Sequence, residues 1–124
     1  MNKKILVADD EPNVLLLLRS RLESAGYQVI TAQDGEECLN KIGSEKPDLL
    51  VLDIMMPKMD GYNVLVNMKE LKESLGLPDI PVIVLTARGD SKVRELIEKE
   101  NISDFIVKPY KGDELVAKIK KVIG

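Results

Sequence analysis

The sequence predicts an α/β fold in which an open, parallel sheet carries helices on both faces. Five short apolar runs alternate with amphipathic stretches along the 124 residues, and this repetition indicates parallel strands joined by right-handed crossovers. The runs are continuously apolar, as expected of strands that are buried on both faces. A closed barrel requires eight such units, so five units favour an open sheet.

Each of the five predicted strands is followed by a predicted helix. The strands comprise residues 5–8, 29–32, 49–54, 82–85 and 105–107. The first helix has Pro12 in its first turn and ends at Ala25-Gly26, the usual placement of proline and glycine at helix ends. Its buried stripe is predicted to contain Val14, Leu17, Leu18, the stem of Arg21, Leu22 and Ala25.

The other helices follow from apolar residues at helical spacing. The second is predicted over residues 35–42 with Leu39 and Ile42 inward, and the fourth covers residues 91–100 and stops at Asn101. The third follows Gly61, and its predicted buried positions are Val64, Leu65, Met68, Leu71 and Leu75. The fifth begins near Gly112, and its predicted buried positions are Leu115, Val116, Ile119 and Val122.

The composition indicates one globular domain, residues 1–124. Hydrophobic residues make up 44% and charged residues 31% of the chain, as in ordinary folded proteins. The net charge of −3 and the aromatic content of 3% predict no direct nucleic-acid surface. Cys38 is alone and cannot form an internal disulfide, and the apolar runs are shorter than a membrane span. Acids follow the first apolar run directly, which argues against an export signal, so we expect a cytoplasmic protein.

The chain contains no histidine, and this absence narrows the chemistry. It excludes imidazole metal ligands, histidine-activated serine or cysteine nucleophiles, and the commonest general base. Any chemistry must therefore rely on carboxylates, lysine, hydroxyl groups and a metal ion.

Polar residues stand at the carboxyl ends of four predicted strands. These residues are Asp9 and Asp10, Asp53, Thr86, and Lys108. Because ligands of open α/β sheets bind beyond the carboxyl ends of the strands, we expect the five side chains to form one site. Three carboxylates together are a hard oxygen site suited to Mg²⁺ or Mn²⁺.

Taken singly, most of these residues have a simpler explanation. Asp9 or Asp10 fits a helix N-cap, and Lys108 before Pro109 fits a solvated turn. Asp53 has no such explanation, because it lies within an apolar run. Their joint placement, and not any one of them, predicts the site.

Four motifs resemble those of response-regulator receiver domains, the CheY-like modules of two-component signalling. They are VADDEP at 7–12, LDIMMPKMDG at 52–61, VLTA at 84–87 and DFIVKP at 104–109, and the resemblance spans the full chain. It implies a flavodoxin-like (βα)5 three-layer sandwich with strand order 2-1-3-4-5. It also implies that Asp53 accepts a phosphoryl group from phosphohistidine on a sensor histidine kinase or a histidine phosphotransfer protein.

The resemblance assigns roles to the site residues. Mg²⁺ is bound by Asp10 directly, by Asp9 mainly through water, by Asp53, and by the backbone carbonyl of Met55. Lys108 and the hydroxyl of Thr86 contact the transferred phosphoryl group, and small Ala87 leaves room for the donor. The protein is then a phosphorylation-dependent switch that assists its own phosphorylation and dephosphorylation, and not a turnover enzyme.

The resemblance also implies how the switch works. Thr86 moves toward the phosphoryl group and Phe105 turns inward, which changes the surface of the fourth helix, fifth strand and fifth helix for a downstream protein. Phe105 is explained equally well as a core residue. Met55 and Arg88 flank the path of the hydrolysing water and tune the phosphoryl lifetime, and Lys108-Pro109 is a candidate cis peptide.

The run LLLL at residues 15–18 contains more leucine than one buried stripe uses. We expect Leu15 and Leu16 to lie partly outside the stripe and to dock the phosphodonor, although single exposed leucines are common. The partners are otherwise a downstream protein, without membrane contact, and the state is a monomer or a weak phosphorylation-linked dimer. The chain fits either a stand-alone protein or a piece of a larger regulator.

Three other functions fit the sequence less well. A Mg²⁺-dependent aspartyl-phosphate hydrolase needs a second acid where Met55 stands, together with a substrate cap. A flavodoxin-like electron carrier needs a hydroxyl- and glycine-rich loop where residues 9–13 read DDEPN. A degenerate receiver that is never phosphorylated conflicts with the complete residue set.

Overall fold

Five parallel strands form the centre of the fold. The computed structural model describes residues 2–56, 59–87, 95, 99–100 and 102–124. The strands are β1 (Lys4–Ala8), β2 (Gln28–Ala32), β3 (Leu49–Asp53), β4 (Val82–Ala87) and β5 (Asp104–Lys108). They pair in parallel in the order β2-β1-β3-β4-β5, which confirms the predicted sheet.

The helices cover both faces of this sheet. They are α1 (Pro12–Ser24), α2 (Gly35–Glu45), α3 (Gly61–Leu75) and a last helix, Gly112–Ile123. Successive strand residues point to opposite faces. Leu50 and Leu52 therefore pack with α2 and α3, whereas Leu49 and Val51 pack with α1 and the last helix. These two cores on either side of one sheet confirm the predicted three-layer sandwich.

The register of the strands aligns their carboxyl ends. Ala8 of β1 pairs with Leu52 of β3, so Asp9 and Asp53 follow at the same level. Lys108 ends β5 opposite the last residue of β4. The polar strand ends therefore meet at one edge, as the sequence predicts.

The predicted fourth helix lies largely outside the described residues, as does its predicted stop at Asn101. Within residues 91–100, the structure describes Glu95, Lys99 and Glu100. Lys99 Nζ lies 2.9 Å from Glu95 Oε1, an ion pair at the i,i+4 spacing found on helices.

The buried face of α1 differs from the predicted stripe. Leu15 is 5% exposed and packs with Leu18 and Leu22, whereas Leu17 is 70% exposed. At 100° per residue, Leu15 lies 60° from Leu18 and Leu17 lies 100° from it on the other side. The helix is thus rotated so that its buried face is centred between Leu18 and Leu22. The prediction that Leu17 is buried was wrong.

The other predicted helix faces are largely confirmed, with one exception. The buried positions are Ile42, Val64, Leu65, Leu115 and Ile119, and the partly buried ones are Leu39, Met68, Leu71, Val116 and Val122. Leu75, in contrast, is exposed, because it is the last residue of α3 and its neighbour on α2 is Gly43, which has no side chain to cover it.

Candidate functional site

Three carboxylates converge at the carboxyl edge of the sheet. One oxygen from each of Asp9, Asp10 and Asp53 lies within 4.8 Å of the others. Asp9 is 0% and Asp53 3% exposed, whereas Asp10 is exposed. The sequence predicts the cluster, but it does not predict that two of its three acids are almost completely buried.

Asp9 is held in place by the backbone at the start of α1. Its Oδ1 accepts a hydrogen bond from the backbone N–H of Glu11 at 3.0 Å. The residue at the N-cap of α1 is Glu11, and its side chain makes no cap hydrogen bond. The simpler explanation of Asp9 or Asp10 as the N-cap is therefore wrong.

The second carboxylate oxygen of Asp9 is not satisfied. Asp9 Oδ2 is buried and accepts no hydrogen bond from the part of the chain that the structure describes. The nearest recorded cation is Lys108 Nζ, 3.8 Å away. Burial raises the pKa of Asp9 above its ordinary value, and the charges of Asp53 and Asp10 raise it further. A buried carboxylate oxygen without a donor, close to other acids, is suited to binding a cation.

Asp53 ends β3 with its two oxygens in different surroundings. Oδ1 accepts a hydrogen bond from the backbone N–H of Met55 at 3.1 Å. Oδ2 lies 3.2 Å from Lys108 Nζ. Burial raises the pKa of Asp53 and outweighs the lowering effects of the Met55 N–H and the lysine charge. One oxygen is thus fixed by the backbone, and the other is oriented by an ammonium group.

Lys108 lies between the two buried acids. Its ammonium group bridges Asp9 and Asp53, so the alternative of a solvated turn lysine is wrong. The peptide bond between Lys108 and Pro109 is cis, as the resemblance suggested. One lysine facing several carboxylates leaves net negative charge in the cluster.

Thr86 and Phe105 lie on the same face of the sheet. Val84 pairs with Phe105, and Thr86 follows two residues later on β4, so both side chains point toward the α3 side. Thr86 is buried, and its hydroxyl lies 3.4 Å from the carbonyl oxygen of Ala87. Phe105 is partly buried against the core on that side.

The structure describes one of the two residues predicted to tune the phosphoryl lifetime. Met55 is 70% exposed next to the acidic cluster. Arg88 lies outside the described residues.

A groove of about 870 Å³ lies beside the site, between α1 and the segment that follows β5. Its lining includes Leu17, Arg21, Lys108 and Tyr110. Burial raises the pKa of Tyr110 to about 12, with contributions from the charges of Asp9 and Asp53. Sequence reasoning missed Tyr110, although an aromatic residue two positions after the site lysine was a visible signal.

The predicted docking pair on α1 is corrected by this geometry. Leu16 is 67% exposed, as predicted, but Leu15 belongs to the core and offers no surface. The helix rotation that buries Leu15 turns Leu17 outward, into the lining of the groove. The exposed apolar pair is therefore Leu16 and Leu17.

The three carboxylates fit a divalent cation. They supply hard oxygen ligands, two of them buried, and Asp9 contributes an oxygen without a hydrogen-bond donor. Within the described residues, Asp9, Asp10 and Asp53 form the group of acids that could hold a metal ion.

Comparisons with known proteins agree with this geometry. The family model for the response regulator receiver domain matches residues 5–120. The chain is 42% identical over 123 residues to the alkaline phosphatase synthesis transcriptional regulatory protein PhoP of Bacillus subtilis, covering 99% of this chain and 49% of that protein. The chain thus spans about half the length of this curated relative.

Solved structures show the same fold. A response regulator receiver domain from Clostridium thermocellum is 32% identical with a TM-score of 0.83, covering 98% of this chain and 94% of that one. The chemotaxis protein CheY4 of Vibrio cholerae is 26% identical with a TM-score of 0.84, covering 99% and 100%. Among the described residues, no helix is both long and apolar enough to span a membrane. The chain belongs to the response regulator receiver domain family of two-component signalling.

Proposed function

We propose that this receiver domain accepts a phosphoryl group on Asp53 from phosphohistidine of a partner protein, in the presence of Mg²⁺ or Mn²⁺. The observation that carries the proposal is a buried Asp53 with one oxygen 3.2 Å from Lys108, next to an Asp9 oxygen without a hydrogen-bond donor in the described structure. The partner is a sensor histidine kinase or a histidine phosphotransfer protein, because the chain has no histidine of its own.

Asp53 is the nucleophile in this reaction. One of its oxygens forms a bond to phosphorus while the P–N bond of the phosphohistidine breaks, and the imidazole leaves with the electron pair. The Met55 N–H holds Oδ1 at 3.1 Å, which restricts rotation of the carboxylate. Phosphoryl transfer depends mainly on positioning and charge neutralisation, so a fixed carboxylate is an effective acceptor.

Lys108 stabilises charge before and after transfer. Its ammonium group is already 3.2 Å from Asp53 Oδ2, and it can pair with a phosphoryl oxygen bound at that position. Thr86, at the neighbouring strand end, donates its hydroxyl to a second phosphoryl oxygen. The small side chain of Ala87 leaves space for the donor.

Asp9, Asp10, Asp53 and the backbone carbonyl of Met55 would hold the metal ion. Mg²⁺ held there would supply positive charge to offset the negative charge on the acceptor and phosphoryl oxygens. The excess of carboxylates over ammonium groups in the cluster supports this assignment.

Phosphorylation is read out through Thr86 and Phe105. Both side chains face the same side of the sheet, so movement of the Thr86 hydroxyl changes the space available to Phe105. We propose that the resulting change reaches β5, the last helix and the predicted fourth helix, and that a downstream protein binds there. The same face is proposed to support a weak dimer when the protein is phosphorylated.

Met55 and Arg88 are proposed to set the lifetime of the phosphoryl group. A thioether beside the site offers no strong hydrogen-bond acceptor to an attacking water. We therefore propose slower hydrolysis than in receiver domains with a small polar residue at the position of Met55.

The phosphodonor docks on α1 beside the groove, through Leu16 and Leu17. Leu16→Lys is expected to slow transfer from the protein donor but not from a small donor such as acetyl phosphate. Val66→Lys is a matched control, because Val66 is also exposed but lies on α3. Equal slowing with both donors, or equal slowing by both variants, would contradict docking at Leu16.

The domain is proposed to be a switch in the cytoplasm and not a turnover enzyme. The position that carries a second acid in aspartyl-phosphate hydrolases is occupied by Met55. PhoP is a transcriptional regulatory protein by name and about twice as long as this chain. We propose that the receiver domain itself does not contact DNA and controls an output partner through its surface.

Intact mass spectrometry tests the proposal. Incubation with acetyl phosphate and Mg²⁺ is expected to add the mass of one phosphoryl group to the wild type. Neither Asp53→Asn with Mg²⁺ nor the wild type with a chelator is expected to gain it. Equal phosphorylation of Asp53→Asn, or no phosphorylation of the wild type, would refute the proposed function.

A further inference from the structure

Met55 differs from the other described methionines in its exposure. It is 70% exposed, whereas Met56 is buried and Met59 and Met68 are partly buried against the core. The sulfur of Met59 also accepts a contact from the side-chain amide of Asn67 at 3.8 Å. An oxidant in solution therefore reaches the Met55 sulfur more readily than the other three.

The backbone of Met55 is fixed to the phosphoacceptor. Its N–H donates to Asp53 Oδ1 at 3.1 Å, so its side chain always starts from the same place relative to the acceptor carboxylate. A chemical change in this side chain consequently changes the immediate surroundings of Asp53. The backbone carbonyl of Met55, a proposed metal ligand, is not altered by such a change.

We propose that Met55 is a redox-sensitive modification site, and that its oxidation to methionine sulfoxide shortens the lifetime of the phosphoryl group on Asp53. The inference rests on the proposed phosphoacceptor function. The oxidant is a hydroperoxide: the thioether sulfur attacks one peroxide oxygen, the O–O bond breaks, and the S–O bond forms. The sulfur is oxidised by two electrons, and the second peroxide oxygen is reduced and leaves, after protonation, as water or an alcohol.

The direction of the effect follows from the change in polarity. A thioether is a weak hydrogen-bond acceptor, whereas a sulfoxide oxygen is a strong one. Placed beside Asp53, the sulfoxide orients a water molecule toward the phosphoryl group, and hydrolysis becomes faster. One net hydrogen bond in the transition state corresponds to a rate increase of about two- to tenfold.

The first part of the test needs no phosphodonor. The native protein is treated with dilute hydrogen peroxide, and its peptides are mapped by mass spectrometry over time. Met55 is expected to gain one oxygen before Met56, Met59 and Met68. Equal or faster oxidation of any of these three would overturn the inference.

The second part measures dephosphorylation after loading with acetyl phosphate. Oxidised wild type is expected to lose its phosphoryl group about two- to tenfold faster than unoxidised wild type. Peroxide is expected to leave the rate of Met55→Leu unchanged, and Met59→Leu is expected to respond like the wild type. Met55→Gln, which places a polar acceptor at the same position, is expected to decay faster than Met55→Leu without any oxidant.

The outcomes separate the two proposals. Failure of the unoxidised wild type to load would overturn the proposed function together with this inference. Normal loading with a decay rate that oxidation does not change, or with an equal response of Met55→Leu, would overturn this inference alone.

Discussion

Asp9→Asn is expected to stabilise the metal-free domain at neutral pH. Asp9 is completely buried, and its Oδ2 accepts no hydrogen bond from the described residues. Asparagine keeps the Oδ1 acceptor for the Glu11 N–H and places an amide donor where Oδ2 now lies. Oxygens of Asp10 and Asp53 lie within 4.8 Å of an Asp9 oxygen. Removing the charge of Asp9 therefore relieves the repulsion among the three acids.

The magnitude follows from the distances. At an effective dielectric constant near 20, the buried carboxylate of Asp53, within 4.8 Å, repels Asp9 by about 3.5 kcal/mol, and Lys108 Nζ at 3.8 Å attracts it by about 4 kcal/mol. Lys108 is about a third exposed and is shared with Asp53, so solvent weakens its effect and the two contributions nearly cancel. What remains is the cost of burying the Asp9 oxygen without a hydrogen bond, about 1–3 kcal/mol, and Asp9→Asn is expected to gain this free energy. For a domain of this size, that gain raises Tm by about 4–12 °C.

The pH dependence of the gain has a defined sign. Burial raises the pKa of Asp9 in the folded state, so the folded protein binds more protons than the unfolded chain just above the ordinary value of 3.8. Wild-type stability therefore falls as pH rises through this interval, and the advantage of the Asp9→Asn variant appears over the same interval. Below the unfolded-state pKa, Asp9 is protonated in both states and the advantage is lost.

Thermal unfolding in a chelator, measured from pH 3.5 to 7.5, checks these expectations. Asp10→Asn is the matched control, because it is the same substitution at the adjacent acid, whose exposed charge is screened by solvent, and it is expected to raise Tm less than Asp9→Asn. The reasoning would be refuted if Asp9→Asn did not raise Tm at neutral pH, or if its gain were independent of pH.

Three further predictions concern the helices, the glycines and the lifetime of the phosphoryl group. Leu15→Ala is expected to lower the free energy of unfolding by about 2–5 kcal/mol in urea titrations, and Leu16→Ala by no more than about 0.5 kcal/mol; similar losses would contradict the described rotation of α1. Gly61→Ala is expected to destabilise by about 1–3 kcal/mol, because its Cβ would lie 2.7 Å from the Cα of Ile54. Gly43→Ala, whose Cβ would meet only ordinary contacts at 3.6 Å, is expected to stabilise the helix by about 0.5–1 kcal/mol. Met55→Asn is expected to lose its phosphoryl group faster than the wild type by mass spectrometry, and an unchanged or slower rate would exclude Met55 as a shield.

The sheet and the location of the site could be predicted because both depend on a pattern of apolar runs and on strand order. A run such as residues 49–52 is apolar at every position, and it therefore belongs between two helical layers. Once the strands are parallel, their carboxyl ends lie at one edge, and Asp9, Asp53 and Lys108 must meet there. No side-chain detail is needed for this conclusion.

The rotation of α1 could not be predicted from the same information. In a run of four leucines, hydrophobicity is equal at each position, so the pattern cannot distinguish a face that contains Leu15 from one that contains Leu17. The choice is made by packing: Leu15 contacts the core shared with the last helix, and the side of Leu17 borders the groove. The apolar pattern of a sequence gives the period of a helix, but the contacts of the helix with the core determine its rotation about its own axis.

The buried acids are expected to destabilise the metal-free domain for the same physical reason that they are proposed to bind a cation. Asp9 Oδ2 lacks a donor within the described residues, and Lys108 alone cannot neutralise both Asp9 and Asp53. A bound divalent cation provides the missing positive charge, so Mg²⁺ is expected to raise the Tm of the wild type. Asp9→Asn removes both the uncompensated charge and a metal ligand. Compared with the wild type, the variant is therefore expected to have a higher Tm in a chelator and a smaller rise in Tm when Mg²⁺ is added. If Asp9→Asn had the higher Tm in a chelator and Mg²⁺ still raised its Tm as much as that of the wild type, the buried charge of Asp9 would not serve metal binding.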